Sequence, residues 1–204
     1  MGIPTLSEFG EFVTGVFGSR GSSGNQEATA GMGFIKGQCG LYAVIQKGLI
    51  ADDKYRSIDK EWRKKGWDLD INRLSLVSAD LKVTPDNSAL IDSSHLTMST
   101  RKKGEWTGFH AEMMILSAMM NANGWHGQIR SLNDLKALVR QAGGAMIAAN
   151  ATTCEHCGNL MTRAGIEFPG KIGNASLTAW WNPLLDKTYP QADQEFAKLV
   201  PGFE

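Results

Sequence analysis

Two short segments, far apart in the chain, carry the residue types of a catalytic metal site. His110 and Glu112 precede one apolar run, and Cys154 and Cys157 follow another. One histidine and two cysteines suit a catalytic zinc ion, which takes three protein ligands and keeps its fourth position for water. A glutamate two residues after the histidine can lie beside that water without binding the metal, and can move protons between water and substrate. Together the two segments predict a hydrolytic zinc site.

Neither segment is specific by itself. His-x-Glu triplets arise often by chance, and Cys-x-x-Cys is also found in redox pairs, in structural zinc sites and as two core cysteines. The combination is more specific, because one segment opens a buried helix and the other opens a helix after a strand. A zinc-stabilised binding module without catalysis would need a fourth protein ligand and gives Glu112 no role. A redox pair leaves both His110 and Glu112 unexplained.

The composition describes a globular protein with a core of its own. Of its 204 residues, 42% are hydrophobic and 21% charged, which suits one domain with or without a terminal appendage. Lys plus Arg and Asp plus Glu number 21 each, so no net charge draws the chain to nucleic acid or to an anionic membrane. Three cysteines make a poor disulfide framework, and no apolar run approaches transmembrane length. We expect a protein that works in a reducing compartment without a membrane partner.

The first 32 residues are predicted to form a helix and a flexible linker. Apolar residues between Leu6 and Phe17 fall on one face at helical spacing, and Ser7 can cap this helix. Residues 18–33 are rich in glycine and serine, as flexible linkers are. We therefore divide the chain into an N-terminal region, residues 1–32, and a catalytic domain, residues 33–204.

Strands and helices alternate around the two chemical segments. Strands are predicted at residues 33–36, 41–46, 74–77 with 81–83, 145–150 and 175–181. Helices are predicted at residues 53–65, from near His110, at 131–141, through the cysteine segment, and at 193–199. The helix that begins near His110 is apolar nearly all round, so it should be central and buried. The polar segment 88–108 leads into it and should overhang the site.

This order of elements around the two motifs resembles the cytidine deaminase-like fold, from about Gly33 to Trp181. The resemblance implies an α/β fold, a three-layer α/β/α sandwich with a central mixed sheet, in which the N-termini of two neighbouring helices face one Zn²⁺ ion. It implies that His110, Cys154 and Cys157 bind the zinc and that Glu112 is the catalytic proton shuttle. An activated water would attack the ring carbon that bears the amino group. Cytosine would become uracil, or adenine hypoxanthine, with release of ammonia.

Three features depart from the commonest pattern of that family. Thr153 stands where most members have proline, a helix at residues 131–141 lies between the motifs, and no clear glycine-bounded asparagine precedes His110. In these respects the chain resembles the divergent deaminase domains of bacterial polymorphic toxins, which are delivered into other cells and edit nucleic acid. That resemblance implies a nucleic-acid substrate (DNA favoured) with a single-stranded or flipped base, action in the target-cell cytoplasm, and a cognate immunity protein as partner. Free nucleosides or nucleotides are the alternative substrates, and the balanced charge favours them.

Four residues are predicted to contact the substrate. Asn87 is a candidate contact to the sugar, and Thr153 immediately precedes Cys154, the first cysteine of the Cys-x-x-Cys motif. Trp106 and Phe109 flank the entrance, where they could stack on a base or pack into the core or a lid. His156, between the two cysteines, is expected beside the site rather than on the metal.

Two neighbouring tryptophans, Trp180 and Trp181, end the last predicted strand. Successive residues of a strand face opposite sides, so one ring should face inward and the other outward. Core packing is the default expectation for both rings, and stacking on a base or contact with a partner is the alternative.

Overall fold

Among the residues that the computed structural model describes, five strands form a mixed sheet and two more form a separate hairpin. The described residues are 2–18, 30–38, 40–45, 52–67, 73–77, 109–173, 179–190 and 196–200. The sheet contains β1 (Ala30–Ile35), β2 (Gly40–Ile45), β3 (Arg73–Val77), β4 (Ala145–Ala149) and β5 (Ile166–Glu167), and the hairpin contains β6 (Trp180–Asn182) and β7 (Lys187–Tyr189). The helices are α1 (Leu6–Phe17), α2 (Asp52–Lys65), α3 (Ala111–Ala122), α4 (Leu132–Gln141), α5 (Glu155–Ala164) and α6 (Phe196–Leu199).

The strand order brings the starts of α3 and α5 to one edge of the sheet. The order is β3-β2-β1-β4-β5, in which β1 is antiparallel to both of its neighbours and the outer pairs are parallel. Gly31 pairs with Ala149 at the carboxyl end of β4. A methyl group added to Gly31 would lie 3.4 Å from the Cβ atom of Ala111, so α3 begins beside that end of β4. The chain enters α5 a few residues after the same strand end.

Helices pack on both faces of the sheet. Side chains of β1, β2 and β4 alternate between the faces, as the two-residue period of a strand requires. One face packs against α1 and α2, through Phe9, Phe12, Val13, Val16, Ile58 and Trp62. The other face packs against α3, α4 and α5. The fold is therefore a mixed α/β fold with a central sheet, as predicted. No helix in the described part of the chain is long and apolar enough to cross a membrane.

Glycines in β1 allow α3 to lie directly on the sheet. A methyl group at Gly33 would lie 2.6 Å from Cγ2 of Ile115 and 2.7 Å from Cε of Met119. These separations are too short for real Cβ contacts, so any larger residue would force the helix and the strand apart. The strand begins at Ala30, three residues before the predicted start. Its glycines allow close packing, whereas the sequence pattern predicted that they belong to a flexible linker.

The N-terminal helix docks on the core, and its cap is Thr5 instead of the predicted Ser7. The Thr5 hydroxyl accepts the backbone N–H of Glu8 at 3.3 Å, and the Glu8 carboxylate accepts the backbone N–H of Thr5 at 2.8 Å. This reciprocal pair satisfies two N–H groups at once, which a cap at Ser7 would not do. Ser7 instead donates a hydrogen bond to Glu11, 3.2 Å away. The helix packs against the sheet, where Phe9 meets Phe34 edge-on with ring centroids 5.0 Å apart.

The strand after the cysteine helix differs from the prediction. Residues 166–167 form β5, which pairs with β4 in parallel, whereas Trp180–Asn182 pairs only with β7 among the described strands. A strand is predicted at residues 175–181, of which residues 175–178 lie outside the described part of the chain. The composition of a strand does not identify the strand with which it pairs. The strand that pairs with β4 could not be predicted, because β5 is two residues long and has no pattern of its own. The predicted strand at 81–83 and the entrance segment 88–108 lie outside the described residues.

Candidate metal centre

The starts of two helices hold the three predicted metal ligands. His110 is the N-cap residue of α3, and Cys154 is the N-cap residue of α5. Cys157 lies three residues further on, which places both sulfur atoms on the same side of the first turn. The backbone N–H of Cys157 donates to Sγ of Cys154 at 3.5 Å. The free N–H groups and the positive dipole end of this helix favour a thiolate at that position.

The three donor atoms lie at the spacing of a tetrahedral metal site. Nδ1 of His110 is 3.3 Å from Sγ of Cys154 and 3.4 Å from Sγ of Cys157. All three donor atoms lie within 4.8 Å of one another. Zinc bonds of about 2.0 Å to nitrogen and about 2.3 Å to sulfur at tetrahedral angles would separate N and S by about 3.5 Å. The cluster could hold a metal ion, and its geometry and donor set are compatible with zinc.

The local electrostatics shift the pKa values of the two thiols in opposite directions. The hydrogen bond with Cys157, joined by that with His110, lowers the pKa of Cys154 to about 4. Burial and the hydrogen bond with Cys154 raise the pKa of Cys157 well above its usual range. The thiolate form is therefore favoured at Cys154 and disfavoured at Cys157. A divalent cation would favour the second thiolate as well, because a coordinating thiol is deprotonated outright.

His110 is oriented from two sides. Burial lowers the pKa of His110, but the hydrogen bond and charge of Cys154 and the charge of Glu112 outweigh burial, so its pKa is raised. The ring also hydrogen-bonds to the backbone of Ala179. Since Nδ1 faces the two sulfurs, Nε2 is the nitrogen left to donate to that carbonyl. Metal-binding histidines are commonly fixed in this way by a carbonyl on their second nitrogen.

Glu112 provides a buried carboxyl group beside this cluster. Its side chain is 4% exposed, and burial raises its pKa. Its own backbone N–H, the charge of His110 and a hydrogen bond from Thr153 partly offset this rise in the pKa. A carboxyl group whose pKa is raised can both accept and return a proton. The arrangement therefore suits general acid–base chemistry on a water molecule next to the metal position.

The predicted substrate contacts have different outcomes. Thr153 is buried and hydrogen-bonds to Glu112, so the structure brings it into the site, while its contact with a substrate stays a prediction. Phe109 is half-buried and stacks on Trp181, with ring centroids 4.8 Å apart and planes 23° apart. Asn87 and Trp106 lie outside the described residues.

Trp180 contacts the ligand cluster, which the sequence did not indicate. Its indole Nε1 donates to Sγ of Cys157 at 3.4 Å, and its ring is fully buried. The sequence predicts core packing for Trp180, with base stacking or contact with a partner as the alternative, because nothing in its spacing from Cys157 marks the two as neighbours. His156 is also buried, with its ring centroid 5.7 Å from that of Trp180. It is not a member of the ligand cluster found among the described residues, as predicted.

Comparisons with protein-family models, curated proteins and solved structures found no match to this chain.

Proposed function

We propose that this chain is a zinc-dependent hydrolytic deaminase of a nucleobase, with cytosine in nucleic acid as the favoured substrate and DNA favoured over RNA. One observation carries the proposal: the buried carboxyl group of Glu112 accompanies a cluster of one histidine and two cysteines at tetrahedral spacing. The zinc, when bound by His110, Cys154 and Cys157, would supply an acidified water as nucleophile. The sequence motifs resemble those of zinc deaminases in the same residues.

Glu112 has the properties that the proton transfers of such a reaction need. Deamination breaks the bond between the ring carbon and the exocyclic nitrogen, forms a bond from that carbon to the oxygen of water, and releases ammonia. Protons must therefore move from water to the leaving nitrogen. Glu112 can accept a proton and deliver it, because burial raises its pKa and Thr153 steadies its carboxylate.

A catalytic role fits the described ligands better than a structural one. A structural zinc site is closed by four protein ligands, whereas the described residues supply three. Three ligands leave a position for water, and Glu112 then has a function. A binding module without catalysis gives no reason to bury a carboxyl group beside the cluster, where its desolvation is costly.

Base conversion by matched proteins tests the proposal. Wild-type protein and Glu112→Gln would be incubated with single-stranded DNA, duplex DNA, RNA and free cytidine, and each pool assayed for uracil and, where it contains adenine, for hypoxanthine. Glu112→Gln keeps the size and the zinc ligands, so we expect it to retain zinc and lose conversion by about 100-fold or more. Conversion of free cytidine alone would contradict the nucleic-acid substrate. Full zinc without conversion of any pool, adenine included, would favour the binding module.

The toxin role follows from the same resemblance and has its own test. Expression in a bacterial host that cannot repair uracil should reduce viability and leave C-to-T changes in its genome. The Glu112→Gln protein, expressed at the same level, should do neither. Toxicity that persists with Glu112→Gln would show that growth inhibition does not depend on deamination. A cognate immunity protein would be expected to suppress the mutations of the wild-type protein.

A further inference from the structure

Two consecutive residues outside the motifs contact two of the three ligands. The backbone of Ala179 hydrogen-bonds to the ring of His110, and the indole of Trp180 donates to Sγ of Cys157 at 3.4 Å. Both residues are buried, at 7% and 0% exposure. The segment that leads into the β6–β7 hairpin therefore lies against two of the three ligands.

The ring of Trp180 is held in place by its neighbours. Its centroid lies 5.7 Å from that of His156, 6.4 Å from that of Tyr189 and 6.4 Å from that of Phe196. An indole N–H can only donate, and when it is buried it needs an acceptor. The acceptor here is a cysteine sulfur, although sulfur is a weak acceptor unless it carries charge. The contact is therefore worth most when Cys157 is a thiolate, its form as a metal ligand.

We propose that Trp180 is a positioning residue of the metal centre, whose indole N–H fixes Sγ of Cys157 and draws negative charge from it. A thiolate that accepts a hydrogen bond donates less charge to the metal that it binds. The backbone of the preceding residue, Ala179, hydrogen-bonds to the ring of His110, so the same segment contacts a second ligand. This inference rests on the metal site of the proposed function, but it does not depend on which substrate is deaminated.

Removal of the N–H with the ring kept tests the inference. Trp180→Phe keeps an aromatic ring and loses the donor. Trp181→Phe is the matched control, because the indole of Trp181 donates to Asp186 at 3.2 Å and not to a ligand. Zinc affinity would be measured by competition with a chromophoric chelator, and the cobalt-substituted proteins by absorption. Loss of an outer hydrogen bond to a ligand typically weakens metal binding by about 10- to 100-fold.

We expect Trp180→Phe to weaken zinc binding within that range, and Trp181→Phe to leave it unchanged. The sulfur-to-cobalt charge-transfer band of Trp180→Phe should move to longer wavelength, because the sulfur electrons are held less tightly without the hydrogen bond. Replacement of Trp180 by benzothienylalanine keeps the shape of indole without its N–H, and it serves if Trp180→Phe does not fold. The same shift and the same loss of affinity are expected for it.

Three results would separate the inference from the proposed function. Unchanged affinity and spectrum in the benzothienylalanine protein would overturn the role of Trp180 and leave the deaminase proposal standing. Wild-type protein that binds zinc and cobalt but converts no base would overturn the proposed function, and the comparison of variants would still decide the role of Trp180. Wild-type protein that binds neither metal would overturn both.

Discussion

Nδ1 of His110 lies 3.3 Å from Sγ of Cys154, although 44 residues separate them in sequence. The contact joins the first residues of two helices that are packed on the same face of the sheet. Each helix brings its positive N-terminal end to the cluster, and the thiolate of Cys154 offsets both. The site is thus built from the ends of rigid elements, which fixes its geometry more closely than loops would.

Removal of metal should destabilise the protein, because the ligands belong to two different helices. A ligand that binds only the folded state adds about 4 kcal/mol to the free energy of unfolding when its free concentration is 1,000 times the Kd. We expect thermal unfolding at a lower temperature after dialysis against a chelator, with recovery on addition of zinc. His110→Ala should show no such dependence on zinc. An unfolding temperature of the wild-type protein that changes with neither chelator nor zinc would contradict the prediction that a metal ion links α3 and α5.

Gly33→Ala should destabilise the fold by forcing α3 away from β1. The new methyl group would lie 2.6 Å from Ile115 and 2.9 Å from the carbonyl oxygen of Met146. Overpacking of this kind costs about 1–3 kcal/mol of unfolding free energy, which chemical denaturation measures.

Gly15→Ala is the matched control for that change. Gly15 lies inside α1, where an added methyl group would meet no atom within 4 Å. Alanine in a helix interior is favoured over glycine by about 0.5–1 kcal/mol, so this substitution should stabilise the protein. Equal effects of the two substitutions would show that α3 does not pack on β1 as closely as the structure has it.

The cluster of His110, Cys154 and Cys157 could be predicted from sequence because metal-binding chemistry depends on residue types and short spacings. His110 and Glu112 are two residues apart, and Cys154 and Cys157 three, so each pair belongs to a single turn. The alternation of strands and helices around them was predictable for a similar reason, since each element has its own period of apolar residues. The mixed α/β fold follows from that alternation.

The contacts made between distant segments could not be predicted. The bond from Trp180 to Cys157 crosses 23 residues and depends on the β6–β7 hairpin pairing apart from the central sheet. A tryptophan in an apolar run gives the same pattern whether it meets a leucine or a sulfur. The close approach of α3 to Gly33 was hidden similarly, because glycine next to a polar, glycine-rich segment is typical of linkers.

The capping box of α1 should lose its contribution to stability in acid. Hydrogen bonds from the backbone N–H and then the hydroxyl of Thr5 lower the pKa of Glu8 below its ordinary value of 4.5. A carboxyl group whose folded pKa is depressed stabilises the fold fully above its unfolded pKa, and this stability is lost as the pH falls through the folded pKa. We therefore expect the difference in unfolding free energy between wild type and Glu8→Ala to shrink as the pH falls below about 4.5.

Glu8→Gln separates titration from loss of the acceptor. The amide oxygen can still accept the N–H of Thr5, as glutamine does in other capping boxes, but it does not titrate. The difference in unfolding free energy between Glu8→Gln and Glu8→Ala should therefore stay constant over the same pH range. If the difference between wild type and Glu8→Ala is constant as well, the Glu8 carboxylate does not hydrogen-bond to Thr5 in solution.

The stack of Phe109 on Trp181 should appear as a coupling between the two residues. Their ring centroids are 4.8 Å apart, their ring planes are nearly parallel, and Trp181 is 8% exposed. Stacked aromatic pairs contribute about 0.5–1.5 kcal/mol beyond the burial of their area, and a double-mutant cycle of Phe109→Leu and Trp181→Leu measures that contribution. The hydrogen bond from Trp181 to Asp186 is absent from both Trp181 variants, so it cancels in the cycle.

Trp62, which packs on the opposite face of the sheet, provides the control, and Phe109→Leu with Trp62→Leu should show additive effects. Coupling in the first cycle alone would establish that Trp181 holds Phe109 beside His110, whereas additivity in both would leave Phe109 free to turn towards a bound base.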